Sequence, residues 1–293
     1  MGSNLRSRLS LPQWALYIVV PMLPLIIFWF IPLVVSVLIS FTNWDYISPT
    51  YDIVGLKNYG DILTSDTFLK SLGITVQFGL GTVLPTLVIG FFLAYLLNDK
   101  LEGKAWYQTF IFSPWITPMV AMSIVWSWMY RPEGFINVLL GAVGIDVVPW
   151  LTDSRWALLA VMIVTVWKNA GYAMIFYADA LSKIPKSLYE VGFLEGASTW
   201  QKIRCILLPM VKSTTFFLII VNLISSLQAY DQISVLTQGG PSGSTRTLLY
   251  LYYQMAFEEF NMGRATALAV IMVFITGLFA FVLFAMKRKG GVR

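Results

Sequence analysis

The stretch YEVGFLEGASTWQKIRCILLPMV, residues 189–211, decides the fold. Acids at Glu190 and Glu195, bases at Lys202 and Arg204, and a Gly196-Ala197 pair lie between two long apolar runs, and the stretch closes on Leu208-Pro209. Just upstream, IPKSLYE places Ser187 three residues before Glu190 and shortly after Pro185. This is capping-box spacing, in which the serine oxygen accepts the Glu190 amide proton and the carboxylate reaches back to the serine amide. A helix is therefore predicted to begin at Ser187. Leu188, Val191 and Glu195 then share one face with Leu194 beside them, and a second amphipathic run through Trp200, Ile203, Ile206 and Leu207 leads to Pro209. A helix lying on lipid would carry more Lys and Arg and little Glu. Two short helices with a small-residue corner suit a surface gripped by another protein.

The residues on either side read as membrane. Hydrophobic residues make up 57% and charged residues 12% of the 293-residue chain, and the mean hydropathy is +0.72. A water-facing surface needs roughly twice that share of charge. Six stretches, near 14–41, 72–97, 107–130, 156–181, 213–236 and 264–286, are apolar enough to cross a bilayer core, which takes about 20 helical residues. The first follows Arg6 and Arg8 but is too long for a signal-peptide core and lacks a small-residue cleavage site, so it reads as a retained helix. Pro21, Pro24, Pro32, Pro85, Pro114 and Pro118 fall within these runs, where membrane helices tolerate proline if neighbours satisfy the freed carbonyls.

With both termini cytoplasmic, 13 Lys and Arg residues fall on inner segments, Lys100, Lys183 and Arg293 among them, and 6 on outer loops, with Lys168 inside a span. The positive-inside rule selects this orientation. The net charge of +5 is then an orientation signal and lends nothing to a nucleic-acid reading. The expected fold is an all-α integral membrane domain over residues 1–293, with 182–212 as its cytoplasmic connector. The chain has no histidine and one cysteine, Cys205, so an internal disulfide, a His/Cys zinc site and a His-dependent triad cannot be built. The Gly-rich GGPSGSTRT, residues 239–247, lacks the Gly-Lys-Ser/Thr ending of a phosphate loop. No catalytic, cofactor-binding or metal-ligating residue is assigned.

The row Glu190, Val191, Gly192, Glu195, Gly196, Ala197, Gln201, Ile206, Leu208 and Pro209 resembles the EAA loop of bacterial ABC importer permeases. Val191-Gly192 stands where the family usually has Ala-Ala, and Glu195 where it has Asp. The segment LTQGGPSGSTRTLLYLYYQMAF, residues 236–257, and GLKNY, residues 55–59, resemble external segments of the sugar-importer permeases of the MalF type. The resemblance implies a six-helix core, a bacterial cytoplasmic (inner) membrane location and uptake of a di- or oligosaccharide. It implies that Ser187, Leu188, Glu190, Val191, Glu195, Gly196 and Ala197 couple to an ATPase. The implied partners are a second homologous permease, two copies of an ATP-binding subunit that holds the ATP and Mg, and an extracytoplasmic sugar-binding protein.

Polar residues inside two spans mark a candidate pathway. Thr165, Lys168, Asn169 and Tyr172 recur at helical spacing in the fourth run, and Asn222, Ser225 and Ser226 in the fifth, continued outward by Gln228, Tyr230, Asp231 and Gln232. Asn222 lies about 15 Å into the membrane at 1.5 Å per residue. Helix–helix hydrogen bonding accounts for single Ser or Asn residues. Lys168 is harder to dismiss, since a cation at this depth costs about 2.5–3.5 kcal/mol. It needs a water-filled cavity or a partner, for which Asp231 is the best-placed acid. The family resemblance carries sugar contacts onto Thr165, Lys168, Asn169, Tyr172, Asn222, Ser225, Ser226 and Ala229. Lys168 keeps an anionic substrate open, such as an acidic oligosaccharide or a glycerol phosphate. An ion-coupled secondary transporter would need a mid-membrane acid, whereas Asp179 and Asp231 lie toward span ends. An intramembrane enzyme would need a catalytic pair of which there is no sign. The orientation predicts that a cysteine placed around Ser244 labels with an impermeant maleimide from outside. Cys205 should label only after permeabilisation, and free external labelling of Cys205 overturns the topology.

Overall fold

Inside a bilayer each backbone N–H and C=O must find a partner within its own segment, so single apolar runs fold as helices. The computed structural model describes residues 11–98 and 102–289, and among them the only β pairing is an isolated bridge between Thr42 and Ile53. Arg6, Arg8, Lys100 and Arg293 lie outside the described residues. In order, the helices are α1 (Leu11–Leu25), α2 (Ile31–Ile39), α3 (Lys57–Leu63), α4 (Asp66–Leu96), α5 (Lys104–Ile116), α6 (Met119–Met129), α7 (Phe135–Ala142) and α8 (Ala157–Ser182). They continue as α9 (Lys186–Leu194), α10 (Thr199–Lys202), α11 (Leu208–Met210), α12 (Lys212–Leu227), α13 (Asp231–Leu236), α14 (Leu248–Tyr253) and α15 (Met262–Lys289).

Four helical segments are long and apolar enough to cross a membrane: Tyr17–Ile39, Asp66–Leu96, Ala157–Ser182 and Met262–Ala285. The described chain offers six when two bent pairs each count as one span. Lys104–Ile116 and Met119–Met129 meet at 98°, and Thr199–Met210 and Lys212–Leu227 at 69°. Two expectations are corrected here. The third run is broken, because Pro118 cannot donate an amide proton and holds Thr117 before it extended (φ −71°, ψ 134°). The fifth run ends at Leu227, and residues up to 236 form the separate helix α13. Other prolines are absorbed without a break. Ahead of Pro32 the Ile31 amide bonds back to Ile26 O, and ahead of Pro209 the Leu208 amide bonds to Ile203 O, each widening one turn to π geometry.

The chain divides into two compact units. The first comprises Met1–Leu63 with Tyr252–Ile271. There Asn58 of the GLKNY segment donates to Ser40 O and Thr42 O at 2.9 and 2.8 Å, and the Tyr59 hydroxyl meets Ser40 Oγ at 2.6 Å. These bonds tie off the end of α2, whose last carbonyls have no helical partner. The second unit, Thr64–Leu251 with Met272–Arg293, is organised around α4 and α8. A Cβ on Gly90 would stand 2.6 Å from Ala173 Cβ and 3.1 Å from the Met174 amide nitrogen, so these helices touch backbone to backbone. Phe91 and Tyr177 cross edge to face with centroids 5.6 Å apart, and the Tyr177 hydroxyl donates to Thr215 Oγ1 of α12 at 3.0 Å. Gly171 lies against α5, where a Cβ would fall 2.1 Å from Ile111 O. Gly171→Ala should therefore force α5 off α8 at an overpacking cost of about 1–3 kcal/mol. The expected result is a melting temperature several degrees lower in detergent, whereas Gly141→Ala, with open space around it, should leave it unchanged.

Candidate functional site

The connector between α8 and α12 folds as two short helices, but its caps differ from the expected ones. α9 begins at Lys186, directly after Pro185, so Ser187 sits inside the first turn and forms no capping box with Glu190. The box forms one helix later. Ser198 Oγ accepts from the Gln201 amide at 3.3 Å, and Gln201 Oε1 accepts from the Ser198 amide at 2.7 Å. Gly196 ends α9 with φ +66°; its amide bonds Phe193 O at 3.1 Å while the Ala197 amide bonds Gly192 O at 2.9 Å. These two bonds make a Schellman closure, which needs a left-handed residue that glycine supplies without steric cost. A Cβ on Gly196 would meet nothing of its own chain within 4 Å.

Ser187, Leu188, Glu190, Val191, Glu195 and Gly196 are exposed and Ala197 is half-buried. Phe193, Leu194 and Trp200 join them at 75%, 83% and 62% exposure. The inward side of α9 is formed by Tyr189 and by Gly192, whose Cβ position lies 3.1 Å from Ile206 Cδ1. Phe193 was not singled out from the sequence. A large apolar side chain in the middle of the charged connector, four residues after Tyr189, is the signal that would have found it.

In α8, Thr165 is buried and donates to Val161 O at 2.8 Å, while Lys168, Asn169 and Tyr172 are half-buried. Lys168 is not paired with Asp231, which is exposed in the first turn of α13. Its ammonium donates to three backbone carbonyls at the break in the third run: Pro114 O at 2.9 Å, Trp115 O at 2.9 Å and Thr117 O at 2.5 Å. Tyr172 stacks on Trp115 with centroids 4.2 Å apart and 23° between planes. Trp115 was missed in the sequence because it precedes the bend by two residues and belongs to no polar stripe.

The α12 stripe splits. Asn222 and Ser226 are buried and bond back to Leu218 O and Leu223 O at 2.8 Å each, and the position of a Cβ on Gly79 in α4 is 3.0 Å from Ser226 Oγ. Ser225 and Gln228 are exposed, and Tyr230 is half-buried with its ring stacked on Tyr250 at 6.1 Å. A cavity of about 800 Å³ lies among α4, α5, α6 and α8, on the face of α8 opposite the polar stripe. Its hydroxyl side chains are Ser113 and Thr117, and both already donate to backbone carbonyls. This lining suits apolar groups and leaves the polar stripe as the candidate path.

Residues 80–289 match the family of binding-protein-dependent transport system inner membrane components. The chain belongs to that family. Along its sequence the permease is 34% identical over 272 residues to a probable ABC transporter permease protein of Pyrococcus horikoshii, covering 92% of this chain and 93% of the relative. It is 30% identical to the trehalose/maltose transport system permease protein MalF of Thermococcus litoralis, covering 90% and 89%. Its fold resembles that of a bacterial ABC transporter involved in the import of the acidic polysaccharide alginate, with TM-score 0.79, 22% identity and coverage of 95% and 96%. Membership of this family makes the chain a multi-pass transport permease; the family is not one of catalytic subunits. In a transport assay, Ser226→Ala should stay within about twofold of the parent, because its hydroxyl serves its own helix. Gln228→Ala should lower uptake by about tenfold, the effect of one lost hydrogen bond to a ligand. Equal effects of the two substitutions would rule out the division of the α12 stripe.

Proposed function

We propose that the chain is the transmembrane subunit of an ATP-driven, binding-protein-dependent importer of a di- or oligosaccharide. It supplies half of the translocation pathway, with a second homologous permease supplying the other half. Two copies of an ATP-binding subunit carry the ATP and Mg, and an extracytoplasmic binding protein delivers the sugar. The domain is a single permease unit over residues 1–293 in a bacterial inner membrane with both termini cytoplasmic, so that residues 182–212 face the ATPase.

The connector carries this reading. Three large apolar side chains stand exposed beside Glu190 and Glu195 on a pair of helices whose ends are fixed by their own hydrogen bonds. A patch of that kind on an ordered segment marks a contact with another protein. ATPase closure would move α9 and α10 as a unit and pass the motion to α8 and α12. The saccharide assignment is supported by the trehalose/maltose permease among the relatives and by the exposed amide side chain of Gln228, two residues before Tyr230, whose ring is stacked on Tyr250.

Asparagine tolerates the left-handed conformation better than other residues with a Cβ, so Gly196→Asn should preserve the end of α9. Its side chain would project into space that the permease leaves open and a docked subunit would fill. The variant should insert normally yet lose ATPase on pull-down and lose uptake. Glu190→Ala should weaken ATPase attachment by about thirtyfold or more, the effect of removing one partner of an interfacial charge pair at about 2–5 kcal/mol. Full ATPase recovery and uptake in both variants would return the segment to the role of a connector.

A further inference from the structure

The bend in the third run leaves carbonyls where lipid offers no donors. α5 stops at Ile116, so the carbonyls of its last turn have no helical amide to receive them. Ser113 O receives the Thr117 hydroxyl at 3.4 Å. Pro114 O, Trp115 O and, beyond the helix, Thr117 O receive Lys168. A lysine ammonium has three N–H donors, and here each has a carbonyl. The same nitrogen stands 5.7 Å from the centroid of the Trp115 ring, which rests on Tyr172 one turn further along α8. One side chain of α8 thus holds the backbone under Trp115, while another receives its ring.

We propose that Lys168 is a positioning residue that clamps the bend and fixes Trp115 on Tyr172 as an aromatic wall of the pathway. With no donor left for a ligand, it makes that pathway selective for uncharged saccharides over anionic ones. The second half of this inference rests on the importer reading above, whereas the clamp does not. A receptor for phosphate or uronate would present at least one ammonium proton to the path. Here the charge is directed into the carbonyl end of a helix, where the peptide dipoles favour a cation and oppose an approaching anion. Stacked aromatic rings favour the apolar faces of neutral sugars and carry no charge to compensate a carboxylate or a phosphate.

The test uses the assembled transporter with Cys205→Ser and spin labels at Trp106→Cys and Ile124→Cys, exposed positions on the two arms of the bend. Double electron–electron resonance should give a narrow distance distribution with Lys168. It should broaden in Lys168→Met and narrow again in Lys168→Arg, whose guanidinium can donate to the same carbonyls. Uptake is measured with a panel of neutral di- and trisaccharides and, as anionic probes, sn-glycerol 3-phosphate and an alginate trisaccharide. The parent should take up a neutral probe and neither anionic one. Lys168→Met should raise the half-saturating concentration about tenfold through misplacement of the wall, and Lys168→Arg should restore it. An unchanged distance distribution in Lys168→Met overturns the clamp, whatever the substrate. Uptake of either anionic probe by the parent overturns the selectivity, whatever Lys168→Met does to it. Failure of every neutral saccharide in the parent defeats the saccharide reading, and the distances then still decide the clamp.

Discussion

A peptide carbonyl buried in hydrocarbon must have a donor, and most departures from straight helix in this permease follow from that requirement. Each proline removes a donor, and at three of them, Pro32, Pro118 and Pro209, the helix visibly departs from regular geometry in one of two ways. Ahead of Pro32 and Pro209 the helix widens by a residue, so the next available amide reaches one carbonyl further back. At Pro118 the helix turns through 98° instead, and the abandoned carbonyls are served from another helix by Lys168. The first remedy is local. The second makes the geometry of α5 and α6 depend on a side chain of α8, more than fifty residues away in sequence.

Much of this was legible in the sequence. Six apolar runs and a charged connector were visible from composition and spacing, because lipid permits little besides helix over such lengths. The helix ends were less visible. Ser187 and Glu190 have the spacing of a capping box, yet Pro185 starts the helix earlier, and Ser198 with Gln201 makes the box that forms. Both pairs fit the pattern, and only the neighbouring proline distinguishes them. Gly196 was legible as part of a small-residue corner, but the reason for a glycine there lies in its positive φ at a helix terminus.

The candidate pathway was legible as a set of residues but not as a set of directions. Helical spacing placed Asn222, Ser225 and Ser226 near one another, yet a helix packed on one side turns alternate members of such a stripe inward. Ser226 faces Gly79, while Ser225 is exposed. Lys168 was recognised as anomalous from its depth alone. Its partner was assigned to an acid because charge seeks charge in sequence reasoning, and backbone carbonyls have no letter in a sequence. The carbonyl end of a broken helix also favours a cation, and Pro114 with Pro118 was the available sign of one.

The contact at Gly90 bears on how the permease can move. With the Gly90 backbone against the Ala173 methyl and the backbone of Met174 and Ala170, α4 and α8 interlock like the teeth of two combs. Sliding one along the other by a single residue would drive a side chain into the place that only a hydrogen now occupies. Shear between these helices is thereby closed off, and hinge-like rotation of the pair as one body is what remains. A transport cycle built on this scaffold would have to turn α4 and α8 together and keep its flexibility at the bends beyond them.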